Sequence, residues 1–464
     1  MKLYNTLTRS VDEVTPLAPP TVGVYTCGPT VYDYAHIGHW FNYIRMDTLI
    51  RTLTSAGMKP KWVMNITDVG HLVSDADDGE DKLEKGARRE GKTAWEVAKF
   101  YTDDFMDSWK QLGLLMPDRI IKATDHIAEQ IDLIRRLEEK DYTYVIDDGV
   151  YYDTAKFEGY SAFARLDLDE QEAGARVAIN KQKRNPTDFA LWKFTPAGQK
   201  RDMEWDSPWG KGFPGWHLEC SAMSMKYLGD TLDIHTGGID HIPIHHTNEI
   251  AQSEAATGKR FAEMWLHSNH VMVNGEKISK SLGNGIRLQD LTKKGFSPEV
   301  VRLNVLESHY RSQSQFSWDS LEAAKARLAN YYRMADLQFQ PIGKQEWINQ
   351  NLNLDVILKA MQDDLGTPLA LSSLSALSAQ AEERLLAPSD IEGFKTTLGK
   401  LDELLGLGFS NRSDITAEQK QLITDREQAR TAKDWATSDE LRDKLTQQDI
   451  GVRDTSNGTI WYRM

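Results

Sequence analysis

The residues with chemistry to offer fall in three places along the 464-residue chain. Near the start, His36-Ile37-Gly38-His39 sets two imidazoles three residues apart with a glycine between them. At a helix N-terminus such a group adds side-chain donors to free N–H groups and a positive dipole end, and glycine leaves room for a phosphate. In the second half, Lys277-Ile278-Ser279-Lys280-Ser281 brings two lysines and two hydroxyls together. That composition suits a loop closing over a polyphosphate and neutralising it. Between these stretches stand Cys220, His245 and Glu249, the last two spaced i,i+4, which on a helix puts imidazole above carboxylate on one face. With Cys220 and Cys27 they would make a four-ligand zinc set that uses both cysteines of the chain. The same spacing fits a surface ion pair, and two cysteines far apart in sequence fit simple packing.

The elements that must position these residues follow from apolar periodicity. Val22 to Tyr25 reads as a strand, Cys27-Gly28-Pro29 as its terminating loop, and Tyr43, Ile44, Leu49, Ile50 and Leu53 as one face of a helix opening at His36. Lys61 to Thr67 is a second strand, which completes a βαβ unit with a right-handed crossover. Strand carboxyl ends face the ligand crevice in such units, so Cys27 and Thr67-Asp68 should share one site. Ser74 to Arg89 is charge-dense and reads as a mobile loop leading into a helix; Thr93–Leu112 and Asp125–Lys140 are amphipathic helices. Tyr142–Tyr152 turns to β character, and the polar stretch Asp167–Arg184 interrupts the α/β pattern as an insertion would. Gly210-Lys-Gly-Phe-Pro-Gly215 matches the dinucleotide glycine pattern but contains a proline and follows no clear strand, so it is set aside. Thr231–His235 is a strand and Ile244–Ser253 is helical. From Ser317 the strands stop: Leu321–Met334, Leu354–Ala381 and Asp390–Leu407 are amphipathic helices of a bundle, and the tail from Thr424 to Trp461 reads as a helix pair ending in a hairpin.

The totals bound the answer. Hydrophobic residues make up 40% and charged residues 27%, an ordinary globular composition, and no apolar run approaches the ~20 residues of a membrane helix. The first residues lack a signal-peptide core, and two cysteines suit a reducing cytoplasm. A net charge of −14 argues against indiscriminate nucleic-acid binding, though a local basic face is compatible with it.

His36-Ile-Gly-His39 and Lys277-Ile-Ser-Lys-Ser281 resemble the HIGH and KMSKS signatures of class I aminoacyl-tRNA synthetases. Tyr25-Thr-Cys-Gly-Pro-Thr-Val-Tyr-Asp33, Pro214-Gly-Trp-His-Leu-Glu-Cys-Ser-Ala-Met223, His245-His-Thr-Asn-Glu-Ile-Ala-Gln-Ser253 and His309-Tyr-Arg-Ser-Gln313 narrow the resemblance to the cysteinyl-tRNA synthetase family, from Leu3 to the C-terminus. It implies an α/β fold: a Rossmann-type parallel-sheet catalytic domain (1–120 and 201–316) with an inserted subdomain (121–200). A helical bundle of the DALR type (317–410) and a small C-terminal α+β module that binds tRNA (411–464) would follow. It implies zinc on Cys27, Cys220, His245 and Glu249, and cysteine among Thr67, Trp216 and Asp240. ATP with Mg²⁺ would bind on Pro29, Thr30, Gly38, His39, Lys280 and Ser281, with His36, His39, Lys277 and Lys280 acting in catalysis. L-cysteine, ATP and tRNA(Cys) are the expected partners of a cytoplasmic monomer that touches no membrane. Arg430, Lys433, Arg442, Arg453 and Trp461 are the expected tRNA contacts in the tail.

Three positions depart from the family pattern. Ile278 replaces the usual Met, a volume-conserving change. Val69-Gly-His71-Leu-Val-Ser stands where an acidic Asp-Asp-Lys pattern is common, and Asp240-His241-Ile-Pro-Ile-His245 replaces the usual Leu-Met-Phe-Pro-His approach. His71 and His241 are therefore expected to reshape the pocket rim. A ligase that joins activated cysteine to a small amine is the nearest alternative, but it lacks the C-terminal module; a binding protein on a dead synthetase fold would not need both signatures intact.

Overall fold

The computed structural model describes residues 1–70, 81–165, 181–196, 198, 200–278, 285–346 and 354–464. Two compact units result, one of Met1–Lys294 with Tyr310–Gln315 and one of Gly295–His309 with Phe316–Met464. In the first, the hairpin β1 (Lys2–Asn5) and β2 (Ser10–Glu13) precedes β3 (Thr21–Thr26), α1 (Ile37–Ser55), β4 (Lys59–Ile66), α2 (Lys82–Glu90), α3 (Ala94–Gln111) and β5 (Arg119–Lys122). After α4 (Ile127–Glu138) come β6 (Thr143–Ile146), β7 (Gly149–Tyr152), β8 (Phe189–Phe194) and β9 (Gly212–Pro214), which form an antiparallel sheet of their own. Then α5 (Trp216–Leu228), β10 (Leu232–Gly238), α6 (Thr247–Thr257) and β11 (Ala262–Ser268) return to the main sheet.

That main sheet is parallel throughout, in the order β11-β10-β3-β4-β5. Both faces of this sheet are covered: Val24, Tyr25, Val63, Met64, Ile234 and Leu266 are buried. The chain winds outward from β3 to β5, then crosses to β10 on the other side of β3. The strand order thus reverses between β3 and β10, the place where such sheets open a crevice at their carboxyl ends. The Gly210–Gly215 stretch belongs elsewhere. It contains β9, paired antiparallel with β8, and no sequence periodicity announces a three-residue strand made of glycine, phenylalanine and proline.

In the second unit the bundle helices are Pro298–Leu306, Trp318–Asp336, Leu354–Gln362, Thr367–Arg384 and Ile391–Leu405. The expected helix Leu354–Ala381 is broken, because Asp364 and Leu365 take left-handed backbone conformations (φ 55° and 51°). His309 Nε2 bonds the Asp364 carbonyl at 2.8 Å, so the family-like His309 segment holds this turn closed. The tail supplies helices Ala417–Thr431 and Trp435–Thr446 and the hairpin Ile450–Thr455/Gly458–Arg463. Arg412 and Arg463 both bind the buried Asp336, and Gln340 exchanges two hydrogen bonds with the Trp461 backbone. Trp461 is 5% exposed in a core with Ile415, Ile423, Leu445 and Ile450, so it is a packing residue and not a surface for stacking bases. The exposed tryptophan of the tail is Trp435, at 56%, with the Arg430 guanidinium 5.6 Å above its ring.

Candidate active site and metal centre

The loop after β3 is strapped to the end of β4. Gly28 N–H donates to Asn65 Oδ1 (2.8 Å), Thr67 N–H to the Pro29 carbonyl (3.0 Å) and Val31 N–H to the Thr67 carbonyl (3.2 Å). The approach is so close that a Cβ on Gly28 would lie 2.6 Å from the Asn65 carbonyl carbon. Cys27 and Thr67 are fixed side by side as a result.

The two histidines of the first signature cap α1 reciprocally. His36 Nδ1 accepts from Gly38 N–H (3.2 Å), and His39 Nδ1 accepts from His36 N–H (3.1 Å). The His-x-x-His spacing is the capping-box spacing, with imidazoles in place of hydroxyl and carboxylate. Because both Nδ1 atoms are acceptors, each neutral ring carries its proton on Nε2, which makes that atom a donor. Burial, reinforced by the neighbouring His36, pushes the His39 imidazole down to about 3, so it is neutral at physiological pH. The rings lie 3.9 Å apart between centroids.

At the other end of the same crevice lie the metal-type donors. Cys27, Cys220 on α5, and His245 and Glu249 offer four buried donor atoms that all lie within 4.8 Å of one another. The Sγ atoms are 4.0 Å apart. His245 Nε2 stands 2.9 Å from Glu249 Oε1, yet Oε1 has no hydrogen-bond partner; the two face each other as ligands of a common ion would. Burial would depress the His245 imidazole, but the Glu249 carboxylate and the Cys220 sulfur carry it up to about 10. Burial would likewise raise Glu249, yet His235 and His245 hold it down at about 2. The Cys27 contact brings the Cys220 thiol down to about 7, while burial pushes Cys27 well up. Two sulfurs, one imidazole and one carboxylate, closely grouped and dry, fit zinc.

Around the donors runs a network of further imidazoles. His235 Nε2 bonds Glu249 Oε2 (2.8 Å), His217 Nδ1 meets His245 Nδ1 (2.9 Å), and His246 lies between Cys27 Sγ (3.4 Å) and His267 Nε2 (2.7 Å). Cys27, His235, His246 and Glu249 form a second four-donor group that shares two members with the first. His245 and His246 close a wide, π-type turn, Ile242–His246, that runs into α6, where the sequence suggested plain α-helix from Ile244. His217, His235, His246 and His267 escaped sequence reasoning because they come from different elements with no common spacing. The adjacency of His217 to Trp216 and of His246 to His245, and the place of His267 near a strand end, were the available signal.

One cavity of about 360 Å³ connects both ends. Cys27, Thr67, Trp216, Cys220, Asp240 and His245 line one side; Pro29, Thr30, His36, Gly38, His39 and Ile278 line the other. Trp216 stacks on His245 (4.3 Å, 25°). A second cavity, about 490 Å³, opens beyond His36 and His39 toward Tyr34, Tyr101 and Arg287. The second signature follows a hairpin of Val271–Val273 and Glu276–Lys277 turned on Asn274-Gly275, both at positive φ (51° and 82°). Lys280, Ser281 and His71 lie outside the described residues, and of Lys277 only the backbone is described.

A parallel sheet with a reversal at β3/β10 and capping histidines at the crevice is the arrangement of class I aminoacyl-tRNA synthetases. The fold is matched by Mycobacterium tuberculosis methionyl-tRNA synthetase in complex with methionyl-adenylate, with a TM-score of 0.59 at 14% identity over 84% of this chain and 92% of that one. Residues 13–326 match the class I (C) tRNA synthetase catalytic domain, 357–410 the DALR domain and 412–463 the cysteinyl-tRNA ligase anticodon binding domain. The cysteine–tRNA ligase of Treponema denticola is 42% identical over 496 residues, covering 100% of both chains. Cysteine–tRNA ligase 1 of Burkholderia lata is 45% identical over 470 residues, covering 100% of this chain and 97% of its own. The chain belongs to the cysteinyl-tRNA synthetase family.

Proposed function

We propose that the protein is a cysteine–tRNA ligase, which condenses L-cysteine with ATP to cysteinyl-adenylate and pyrophosphate and passes the cysteinyl group to the 3′-terminal ribose of tRNA(Cys). The observation that carries this reading is the single cavity with thiol-matching metal donors at one end and the Nε2 donors of His36 and His39 at the other. Attack of a carboxylate on the α-phosphate needs alignment and charge stabilisation more than a covalent nucleophile. His36 and His39 donate to the phosphates, Gly38 allows their approach beside Pro29 and Thr30, Lys277 and Lys280 neutralise the departing pyrophosphate, and Ser281 adds a hydroxyl to the nucleotide site. Mg²⁺ enters with ATP, held mainly by phosphate oxygens. Asp240 receives the ammonium group of cysteine, while Thr67 and Trp216 confine it.

Cys27, Cys220, His245 and Glu249 would hold the zinc. When bound, zinc supplies a soft Lewis acid that prefers the substrate thiolate to a serine hydroxyl, a distinction that an apolar pocket makes only weakly. The second cavity gives the tRNA terminus its own approach to the same histidines. Within this reading 1–120 and 201–316 are the catalytic domain, 121–200 its insertion, 317–410 the bundle and 411–464 the anticodon module of a cytoplasmic monomer. Among the described residues no helix is long and apolar enough to cross a membrane.

Cysteine-dependent ATP–pyrophosphate exchange, followed by transfer to tRNA, tests the proposal. Zinc-dependent exchange with transfer is expected. Exchange without transfer would favour the small-amine ligase, and folded, zinc-loaded protein without exchange would overturn the enzyme reading.

A further inference from the structure

The turn that carries Asp240 also carries His241, at a position where the family pattern has an apolar residue. Its ring lines the main cavity, edge-on to Trp216 (6.3 Å, 81°) and 5.2 Å from the His245 ring. Nδ1 is enclosed over Gly237 and has no hydrogen-bond partner. Nε2 is neither enclosed in this way nor bonded to a described residue, so the ring presents it to the cavity. An enclosed N–H with no acceptor is costlier than a bare ring nitrogen, which leaves the proton on Nε2. His241 therefore aims one N–H donor into the space between the metal donors and the His36/His39 pair.

Cysteine has three polar ends to satisfy there. The thiol belongs with the sulfur-rich donor set and the ammonium with Asp240. The carboxylate needs a donor that does not consume both of its oxygens, since one must attack phosphorus. We propose that His241 Nε2–H binds one oxygen of the cysteine α-carboxylate and holds the other toward the α-phosphate, as a substrate-positioning residue. The inference rests on the reading of this cavity as the cysteine site.

Calorimetric binding of cysteine and of cysteamine, which lacks the carboxylate, to the zinc-loaded protein tests it. His241→Leu should weaken cysteine on the order of 10- to 100-fold, the range for a hydrogen bond to a charged group, and leave cysteamine within about threefold. His241→Gln, which reaches the Nε2 position, should restore most of the loss, whereas His241→Asn, which does not, should behave like Leu. In exchange kinetics the KM for cysteine should rise while that for ATP holds. Equal losses on both ligands, or no rescue by Gln, would overturn the role of His241. Wild-type protein that binds neither ligand would overturn the reading of the site itself.

Discussion

Gly28→Ala is the sharpest test of how the active-site crevice is built. The backbone of Gly28 lies outside the left-handed region, so alanine should be admissible there and would gain about 0.4–1 kcal/mol by restricting the unfolded chain. Against that gain, the new methyl would run into the Asn65 carbonyl oxygen and sit 2.6 Å from its carbonyl carbon, where carbon atoms normally keep about 3.5–4.0 Å. Both partners are main chain and cannot rotate away, so the ends of β3 and β4 must part by well over 1 Å, and the cost falls above the usual 1–3 kcal/mol for overpacking. A net loss of more than about 2 kcal/mol corresponds to a fall in Tm of at least about 4 °C for a unit of this size. Cys27 moves with the strap, while a zinc site tolerates only about 0.2 Å of error in its donor distances. Zinc affinity should therefore drop at least tenfold, like that of a site with damaged support. Scanning calorimetry of the metal-free protein reads the first effect, and competition with a chromophoric chelator reads the second. A variant with unchanged Tm and unchanged chelator midpoint would refute the idea that this strap fixes Cys27.

Wild-type protein should carry one zinc per chain by mass spectrometry, and Cys220→Ser should lose it together with the preference for cysteine over serine in exchange; retained stoichiometry would contradict the donor assignment. Trp461→Ala should destabilise the second unit by about 3–5 kcal/mol, as for other buried aromatics, while Trp435→Ala should leave denaturant midpoints nearly unchanged and weaken tRNA in filter binding. The Arg426 guanidinium holds the Asp454 carboxyl down at about 2, against 3.8 normally, so its contribution is complete above pH 4 and is lost as pH falls toward 2. Amide protection factors, corrected for the intrinsic exchange rate at each pH, should fall in the Ile450–Arg463 hairpin across that window in the wild type and less in Asp454→Asn.

The sequence announced the βαβ entry, the ends of its strands and the helix opening at His36 because each follows from local rules, apolar runs, a Gly-Pro break and helical spacing, whereas the reciprocal capping by His36 and His39 emerged only from the structure. The i,i+4 pair was legible for the same reason, although its helix begins with a wide turn that α-periodicity does not anticipate. What joined Cys27 to Cys220 was invisible to spacing and came only from family resemblance, since 193 residues separate them. The break at Asp364-Leu365 was missed because apolar periodicity continues across it, and what stabilises it is His309, remote in sequence. Trp461 was misread because a short hairpin that also carries Arg453, Asp454 and Arg463 gives no hint that Gln340 and an apolar cluster wait to enclose it.

The reversal of strand order between β3 and β10 has a consequence for biosynthesis. Cys27 is made 193 residues before Cys220, and the first complete donor set exists only once Glu249 has been added. At ordinary synthesis rates that interval is roughly 10–40 s, during which β10 is not there to stand beside β3 and the Cys27 thiol has no neighbouring sulfur. The centre is thus assembled late, across a seam that the growing chain must wait to close, and Cys27 depends through that interval on a reducing surrounding to reach its partners as a thiol.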